Sequence, residues 1–232
     1  MRIGIMQPYF FPYIGYWQLM NAADKYVIHD DVNYIKGGWI NRNRILMNGA
    51  DKMISLEVRD ASQNKLICDL EQMGNPVNIR KILMTIESCY KKAPMYESVY
   101  HVIEDIINNR EKNLARYLEY SIKKTCDYLN IGTEILISSE MDKNNDLKGQ
   151  DRVIEICVKL GADEYYNAIG GIELYSVDDF AKNNVKLSFL KTENAKYKQF
   201  KNKFTPNLSI IDVMMFNSKE EIKKMLDKYE LV

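Results

Sequence analysis

The triplet His29-Asp30-Asp31 has the residue types of an acid–base site and directly follows an apolar run at 25–28. An unperturbed imidazole titrates near pH ~6.5, so His29 is a candidate general base whose pKa or orientation a flanking carboxylate would adjust. Successive side chains of an extended segment face opposite ways, so we expect His29 and Asp31 on one side and Asp30 on the other. A structural histidine beside two solvated carboxylates is the alternative. The triplet supplies three candidate catalytic residues.

A second polar segment, with Trp39, Asn41, Arg42, Asn43 and Arg44, places amide and guanidinium groups beside an indole. Arginine binds carboxylates and phosphates through two parallel hydrogen bonds. The indole among these groups favours a ligand-binding edge over the alternative, a solvated loop. We expect the Arg42 guanidinium and the His29 imidazole to face one shared hollow.

The turn after the first apolar run is aromatic, with the sequence Q-P-Y-F-F-P at 7–12. Phosphate-cradling loops use glycine so that backbone amides can approach the anion, which excludes a P-loop or a dinucleotide fingerprint here. The aromatic side chains of this turn are candidate substrate contacts, because such rings stack on a sugar or a base. A plug for the hydrophobic core is the alternative role for these rings.

The motif Y-I-G-Y at 13–16 has the layout of the H-I-G-H signature of nucleotidylyltransferases, which also follows a first strand and opens a helix. Gly15 is in place, but Tyr13 and Tyr16 replace both histidines. A phenol supplies no positive charge to stabilise a transferring phosphoryl group. The motif therefore indicates a related sheet and adds Tyr16 to the candidate substrate contacts, and it leaves nucleotidyl transfer as an alternative function.

Two later pairs of residues are weaker indications of a site: Ser138-Ser139 after one predicted strand and Gly170-Gly171 after another. No G-x-S-x-G elbow surrounds the serines, so the sequence does not favour a serine nucleophile. One histidine and two aspartates do not define a metal site, so no metal ligand is predicted and the cofactor stays open. His101 lies in a helical stretch without a polar cluster, and we interpret it as structural.

The elements that must position these residues form an alternating pattern of strands and helices. Strands are predicted at 2–6, 25–28, 45–47, 53–58, 65–70, 134–137, 164–167 and 185–190. Helices are predicted at 13–23, 77–90, 95–108, 114–129, 150–160, 177–182, 210–215 and 219–229. This order predicts an α/β fold: a Rossmann-like, largely parallel sheet flanked by helices, with a helical middle segment. We expect one domain over 1–232, with the helical insertion at about 76–130.

Composition limits the classes of partner. The chain of 232 residues has 32 basic and 32 acidic side chains, so no bulk charge draws it to nucleic acid or anionic lipid. No apolar stretch approaches the roughly 20 residues that span a bilayer. Four cysteines lie far apart, which favours reduced thiols over a disulfide frame or zinc site. We expect a cytoplasmic protein without a membrane span, of undetermined oligomeric state.

Longer strings resemble one known family, the WbqC-like proteins. The resemblance rests on M-Q-P-Y-F-F-P-Y-I-G-Y-W-Q-L, D-K-Y-V-I-H-D-D-V-N-Y, G-G-W-I-N-R-N-R-I, S-S-E, R-V-I-E-I-C-V-K-L-G-A, Y-Y-N-A-I-G-G and F-T-P-N-L-S-I-I-D. Carried over by motif, it implies these site residues: Gln7, Tyr9, Asp30, Asp31, Trp39, Asn41, Arg42, Asn43, Ser138, Ser139, Arg152, Gly170 and Gly171. Members are similar to proteins encoded among bacterial genes for O-antigen and other surface polysaccharides.

The resemblance leads to one favoured function and two alternatives. The favoured function is a transferase that places an acyl or aminoacyl group on the amine of a nucleotide-activated sugar, with an acyl or aminoacyl donor as the second substrate. His29 or one of the neighbouring carboxylates would take the proton from the amine. The alternatives are nucleotidyl transfer on a degenerate H-I-G-H scaffold and non-catalytic binding of a carbohydrate or nucleotide-sugar.

Overall fold

A six-stranded sheet organises the part of the chain that the computed structural model describes, residues 1–193 and 196–232. The strands of the protein are β1 (Arg2–Met6), β2 (Lys25–Ile28), β3 (Arg42–Met47), β4 (Ala50–Ser55), β5 (Val58–Arg59), β6 (Glu71–Gln72), β7 (Glu134–Ile137), β8 (Glu164–Ala168), β9 (Lys186–Thr192) and β10 (Tyr229–Leu231). The sheet has the order β10-β9-β8-β1-β2-β7, and β10 alone among these runs antiparallel to its neighbour. The prediction of a largely parallel α/β sheet is confirmed.

Helices connect the parallel strands and cover both faces of the sheet. They are α1 (Ile14–Ala22), α2 (Pro76–Tyr90), α3 (Tyr96–Ile107), α4 (Leu114–Leu129), α5 (Gly149–Lys159), α6 (Val177–Lys182), α7 (Ile210–Phe216) and α8 (Lys219–Leu226). Shorter 3-10 turns occupy Ile67–Asp69, Ser138–Glu140 and Ile169–Leu174. The chain builds outward from β1 to β2 and β7, then returns to the other side of β1 for β8 and β9. The boundary between β1 and β8 is therefore a topological switch point, where open α/β sheets bind ligands beyond the carboxyl ends of their strands.

Alternation of apolar side chains along the strands produces two hydrophobic cores. Ile3 and Ile5 of β1 pack with Val153 and Cys157 of α5 on one face. Tyr26 and Ile28 of β2 face the other way, into the core that α1 and the middle helices share. Side chains of successive strand residues leave opposite faces of a sheet, so this alternation determines which of the two cores each strand residue joins.

The helical middle segment has the boundaries that its capping residues predict. Asn75 accepts a hydrogen bond from the backbone N–H of Val77 at the start of α2, and Pro76 is the first helical residue. Asn113 accepts one from Arg116 at the start of α4. Asn130 ends α4 with φ 57°, the left-handed conformation that asparagine tolerates better than most residues. The prediction of three helices between β2 and β7 is confirmed.

Three local predictions are wrong. The strand predicted at 65–70 is an irregular segment with the 3-10 turn Ile67–Asp69, because its backbone hydrogen bonds go to loop residues such as Val32 and Asp30. The hairpin strand predicted at 53–58 begins at Ala50, directly after the Asn48-Gly49 turn, and Val58 pairs instead with Gln72. The helix predicted to continue to residue 229 ends at Leu226, and Tyr229 begins β10 along the sheet edge.

Two further features concern membrane association and the chemistry of the cysteines. None of the helices in the described ranges combines the length and apolar character needed to cross a membrane. Cys68, Cys89, Cys126 and Cys157 are all free thiols. Burial raises the pKa of the Cys126 and Cys157 thiols to about 12, so neither is a nucleophile at neutral pH.

Candidate functional site

A cavity of about 800 Å³ opens at the switch point, beyond the carboxyl ends of β1, β2 and β8. The residues that follow each of these strands contribute to its wall, as does the first turn of α5. Nine of the residues singled out from the sequence line it: Gln7, Tyr9, Tyr16, His29, Asp31, Trp39, Arg152, Gly170 and Gly171. Its volume lies within the range of small-molecule sites, about 300–1,000 Å³.

The His29 imidazole and the Asp31 carboxylate form a pair in the cavity wall. Nε2 of His29 lies 3.7 Å from Oδ1 of Asp31, and only 12% and 10% of the two side chains are exposed. Within the described residues, neither of these two atoms has a hydrogen-bond partner. Burial lowers the pKa of His29 to about 4, against the opposing effect of Asp31, so the imidazole is neutral at neutral pH.

Two cations hold Asp31 in place. Nζ of Lys143 lies 2.8 Å from Oδ2 of Asp31, and its side chain is almost completely buried. Nη1 of Arg152 donates to the Asp31 carbonyl oxygen at 2.8 Å and lies 3.6 Å from the carboxylate. Burial alone would raise the pKa of Asp31, but the hydrogen bond from Lys143 and the nearby positive charges keep it below its ordinary value. Asp31 is therefore a fixed negative charge beside His29.

Asp30 has a different environment from Asp31. Its carboxylate accepts hydrogen bonds from the Ser139 backbone N–H at 2.9 Å and from the Ser139 hydroxyl at 2.6 Å. Burial raises the pKa of Asp30 despite these bonds. Ser138 is completely buried, and its carbonyl oxygen accepts a hydrogen bond from Lys143. The contacts of Asp30, Ser138 and Ser139 join the ends of β2 and β7 behind the cavity wall.

Arg152 also organises the loop before α5. Besides Asp31, its guanidinium donates to the carbonyl oxygens of Leu147 at 2.8 Å and Asn145 at 2.9 Å. These bonds use one N–H group on each of its three nitrogens for the protein's own backbone. Lys148, an exposed residue at the amino end of α5, is more accessible to a ligand than Arg152. A helix amino terminus carries partial positive charge, so this corner favours an anion.

The aromatic turn divides its side chains between core and cavity. Phe10 and Phe11 are buried in the core, and Phe11 takes the left-handed backbone conformation with φ 44°. Tyr9 instead lines the cavity with Tyr13 and Tyr16. The Tyr16 hydroxyl donates to the Gln7 carbonyl oxygen at 3.2 Å, and burial raises the pKa of all three phenols. These rings therefore offer flat, uncharged surfaces to a ligand.

Most of the polar segment at 39–43 makes hydrogen bonds within the protein, and of its residues Trp39 lines the cavity. Trp39 faces the cavity, and its carbonyl oxygen accepts a hydrogen bond from the Phe10 backbone N–H at 3.1 Å. Asn43 donates to the carbonyl oxygens of Phe10 and Phe11, at 3.1 and 2.8 Å. Asn41 accepts from the Tyr34 hydroxyl at 2.8 Å and donates to the Leu56 carbonyl oxygen at 2.8 Å. These contacts fix the aromatic turn.

Arg42 turns away from the position expected for it. Its Nε donates to the Gly38 carbonyl oxygen at 3.0 Å, and Nη2 donates to that of Gly37. We expected the Arg42 guanidinium and the His29 imidazole to face one shared hollow. The contacts of Arg42 do not support that expectation. The physical reason is local: the tight turn at 37–38 exposes carbonyl oxygens within reach of the guanidinium.

Gly170 and Gly171 lie in the 3-10 turn after β8 and face the cavity. A Cβ built on Gly171 would lie 2.5 Å from Nδ2 of Asn167, a buried amide that also lines the cavity. A Cβ on Gly170 would meet nothing within 4 Å. Gly171 therefore permits the close approach of Asn167, which the sequence-based list of site residues omitted although it ends a predicted strand.

Lys143, Lys148 and Gly149 were also missed by sequence reasoning. They lie in or beside the charged loop between β7 and α5, where no periodicity or motif distinguishes one lysine from another. Only the fold brings this loop against the end of β2. Among the described residues, no group of three or more His, Cys, Asp or Glu side chains is arranged to hold a metal ion.

Comparison with known proteins identifies relatives but no described activity. The sequence model of the WbqC-like protein family matches residues 7–224. The chain is also similar to the uncharacterized protein Rv1507c of Mycobacterium tuberculosis, with 23% identity over 221 residues that cover 93% of each chain. No solved structure gives a significant match.

Proposed function

This chain belongs to the WbqC-like protein family, and from that premise we propose that it is a transferase of bacterial surface-polysaccharide biosynthesis. Its acceptor is the amine of a nucleotide-activated amino sugar, and the group transferred is acyl or aminoacyl. The observation that carries the proposal is the His29–Asp31 pair, a neutral imidazole beside a fixed carboxylate in the wall of a cavity of ligand size.

The cavity has a group suited to each part of such an acceptor. The rings of Tyr9 and Trp39 can stack on a base or sugar, and the buried Tyr16 packs against Tyr9. Lys148 and the amino end of α5 favour the diphosphate. Asn167 and Gln7 offer amide groups to sugar hydroxyls, and Oε1 of Gln7 is buried without a partner among the described residues. These features support a nucleotide-sugar as the ligand class.

The transfer step uses His29 as the general base. Nε2 is turned towards Asp31, which leaves Nδ1 as the nitrogen that accepts a proton from the attacking amine. A C–N bond forms between amine and acyl carbon, the bond from that carbon to the donor's carrier breaks, and the carrier leaves with the electron pair. Asp31 favours the imidazolium that forms, against the larger effect of burial, which lowers the pKa of His29. Nucleotidyl transfer has less support, because Tyr13 and Tyr16 supply no cation.

The test combines turnover with binding. Mass spectrometry of purified protein incubated with UDP-linked amino sugars and acyl donors should show a product of increased mass, with UDP-sugar binding measured separately by calorimetry. His29→Asn should reduce turnover by about 10²–10⁴-fold, the usual contribution of a general base, with little change in binding. His101→Asn, at an exposed histidine on α3, is the matched control and should retain wild-type turnover.

Two outcomes would contradict this proposal. Full turnover by His29→Asn would remove the role of His29 as base. Binding of the nucleotide-sugar by wild-type protein without any product would instead favour the non-catalytic alternative.

A further inference from the structure

A second cavity, of about 340 Å³, adjoins the large one. Tyr9, Tyr13 and Trp39 line both, so these three aromatic side chains lie between the two spaces. The smaller cavity is bounded on its other side by Arg44 of β3 and by Lys191 and Thr192 of β9. A ligand that passes the shared rings would therefore occupy both cavities.

Arg44 has hydrogen-bonding capacity that the protein does not use. Its Nε is buried and has no partner among the described residues. Its Nη1 lies 3.6 Å from Oδ2 of Asp51, which is too long for a hydrogen bond. The guanidinium lies 5.4 Å from the centre of the Trp39 ring, and the Asn43 side chain accepts a hydrogen bond from the Arg44 backbone N–H. The Arg44 guanidinium is thus held in place beside Trp39 and keeps unused hydrogen-bond donors.

Lys191 places a second positive charge at the same cavity. Its Nζ lies 3.2 Å from the Glu230 carboxylate, and more than half of each side chain is exposed. An exposed pair of this kind is worth about 0–1 kcal/mol, so the ammonium group can turn to another anion at small cost. Among the described residues that line the smaller cavity, none is acidic. The lining therefore favours a multiply charged anion.

We propose that the smaller cavity binds a phosphate group of the acyl or aminoacyl donor. This inference rests on the proposed transfer reaction, since it assigns the second substrate of that reaction. Arginine binds phosphate through two parallel hydrogen bonds, and Lys191 adds charge. A carrier held there extends past Tyr13 and Trp39 and presents its acyl carbon to the large cavity, where His29 meets the amine.

Thioesters of coenzyme A and acyl adenylates are two classes of donor that carry both phosphate and an activated acyl group. Calorimetry with coenzyme A and, separately, with AMP distinguishes them. We expect wild-type protein to bind one of these probes, and Arg44→Gln and Lys191→Gln each to weaken that binding at least tenfold. Arg44→Lys should recover part of the loss, because it keeps the charge without the paired donors.

Matched controls remove the same residue types away from the smaller cavity. Arg59→Gln removes an exposed arginine of β5, and Lys186→Gln removes an exposed lysine at the opposite end of β9. Both should bind the probe as wild type does. Binding of a UDP-linked amino sugar should be unchanged in Lys191→Gln and in both controls, since that ligand occupies the large cavity. Circular dichroism checks that each variant is folded.

The inference fails if wild-type protein binds neither probe, or if Arg44→Gln and Lys191→Gln bind it as tightly as wild type. Its failure is distinguishable from failure of the transfer reaction. If the variants lose probe binding and wild-type protein forms no product, the phosphate site stands and the transfer reaction falls. If product forms and the donor KM is unchanged in Arg44→Gln, the reaction stands and the phosphate site falls.

Discussion

Burial and three nearby charges set the pKa of the His29 imidazole. Removal from water disfavours its protonated form, Asp31 favours it, and the nearby cations Lys143 and Arg152 disfavour it again. Burial is the largest effect, so the pKa falls from 6.5 to about 4. A histidine that stays neutral keeps a lone pair for an incoming proton, which a protonated one lacks.

We expect this shift to appear in stability as a function of pH. The unfolded chain takes up a proton on His29 near pH 6.5, whereas the folded chain does so only near pH 4. Between these values the unfolded state binds more protons, so stability falls as pH falls, by on the order of 3 kcal/mol in total. Urea unfolding of wild type and His29→Asn between pH 7 and pH ~4 measures the difference, in which the contributions of carboxylates remote from His29 cancel.

The control is His101→Asn, which removes a histidine whose side chain is 76% exposed. It should keep the wild-type dependence on pH. Equal pH dependence in wild-type protein and His29→Asn would show that the His29 pKa is not depressed by folding.

The turn from β1 into α1 shows how one element serves both cavities. Some of its aromatic side chains lie in the core and others line the cavities. Gly15, in the first turn of α1, lets the helix approach the end of β9. A Cβ on Gly15 would lie 2.3 Å from Oγ1 of Thr192 and 2.5 Å from the Tyr13 ring. The glycine of the Y-I-G-Y motif is thus explained by packing.

Gly15→Ala should therefore destabilise the protein and disturb the smaller cavity. Alanine gains about 1 kcal/mol in helix propensity, but crowding of Thr192 and Tyr13 costs about 1–3 kcal/mol. We expect a net loss of about 1 kcal/mol in the free energy of unfolding, measured in urea. Gly132→Ala is the matched control, because its Cβ would meet nothing within 4 Å; it should be neutral or slightly stabilising.

A gain in stability for Gly15→Ala would mean that Tyr13 and Thr192 move aside without cost. In that case the tight junction between α1 and β9 would not determine the shape of the wall between the cavities.

At the scale of the whole molecule, one buried carboxylate connects distant segments. Asp212 of α7 accepts hydrogen bonds from the hydroxyls of Tyr90 and Tyr197 at 2.8 and 2.6 Å, and from Nε2 of Gln199 at 2.7 Å. The Tyr90 hydroxyl in turn accepts from the Leu46 backbone N–H at 2.8 Å. The network joins α2, β3 and the C-terminal part of the chain, and burial raises the pKa of Asp212.

Asp212→Asn should destabilise the fold by on the order of 2 kcal/mol. The amide has one acceptor oxygen for three donors, so at least one buried donor loses its partner, while removal of a buried charge offsets part of that cost. Urea unfolding measures the change. Asp227→Asn, at an exposed carboxylate that contacts Asn21, should change stability by less than about 0.5 kcal/mol.

Equal effects of Asp212→Asn and Asp227→Asn would show that the three donors find other partners. The buried network would then not hold the C-terminal part of the chain to α2 and β3.

Local signals explain which elements could be predicted. The strands at 2–6, 25–28 and 134–137 and the helix at 114–129 have the predicted bounds, because periodicity, caps and turn residues act over a few positions. The segment at 65–70 was misassigned because its apolar residues resemble a strand, yet its hydrogen bonds go to distant loops. The single domain expected over 1–232 stays a prediction.

The sequence by itself determined the α/β fold and the placement of His29 and Asp31 on one side of an extended segment, because both follow from local periodicity. Only the tertiary structure decided that Lys143 and Arg152 hold Asp31, that Arg42 turns to backbone carbonyl oxygens, and that Arg44 and Lys191 face one cavity. Those contacts join residues far apart in sequence. Their formation depends on the order of the strands in the sheet, which local periodicity does not encode.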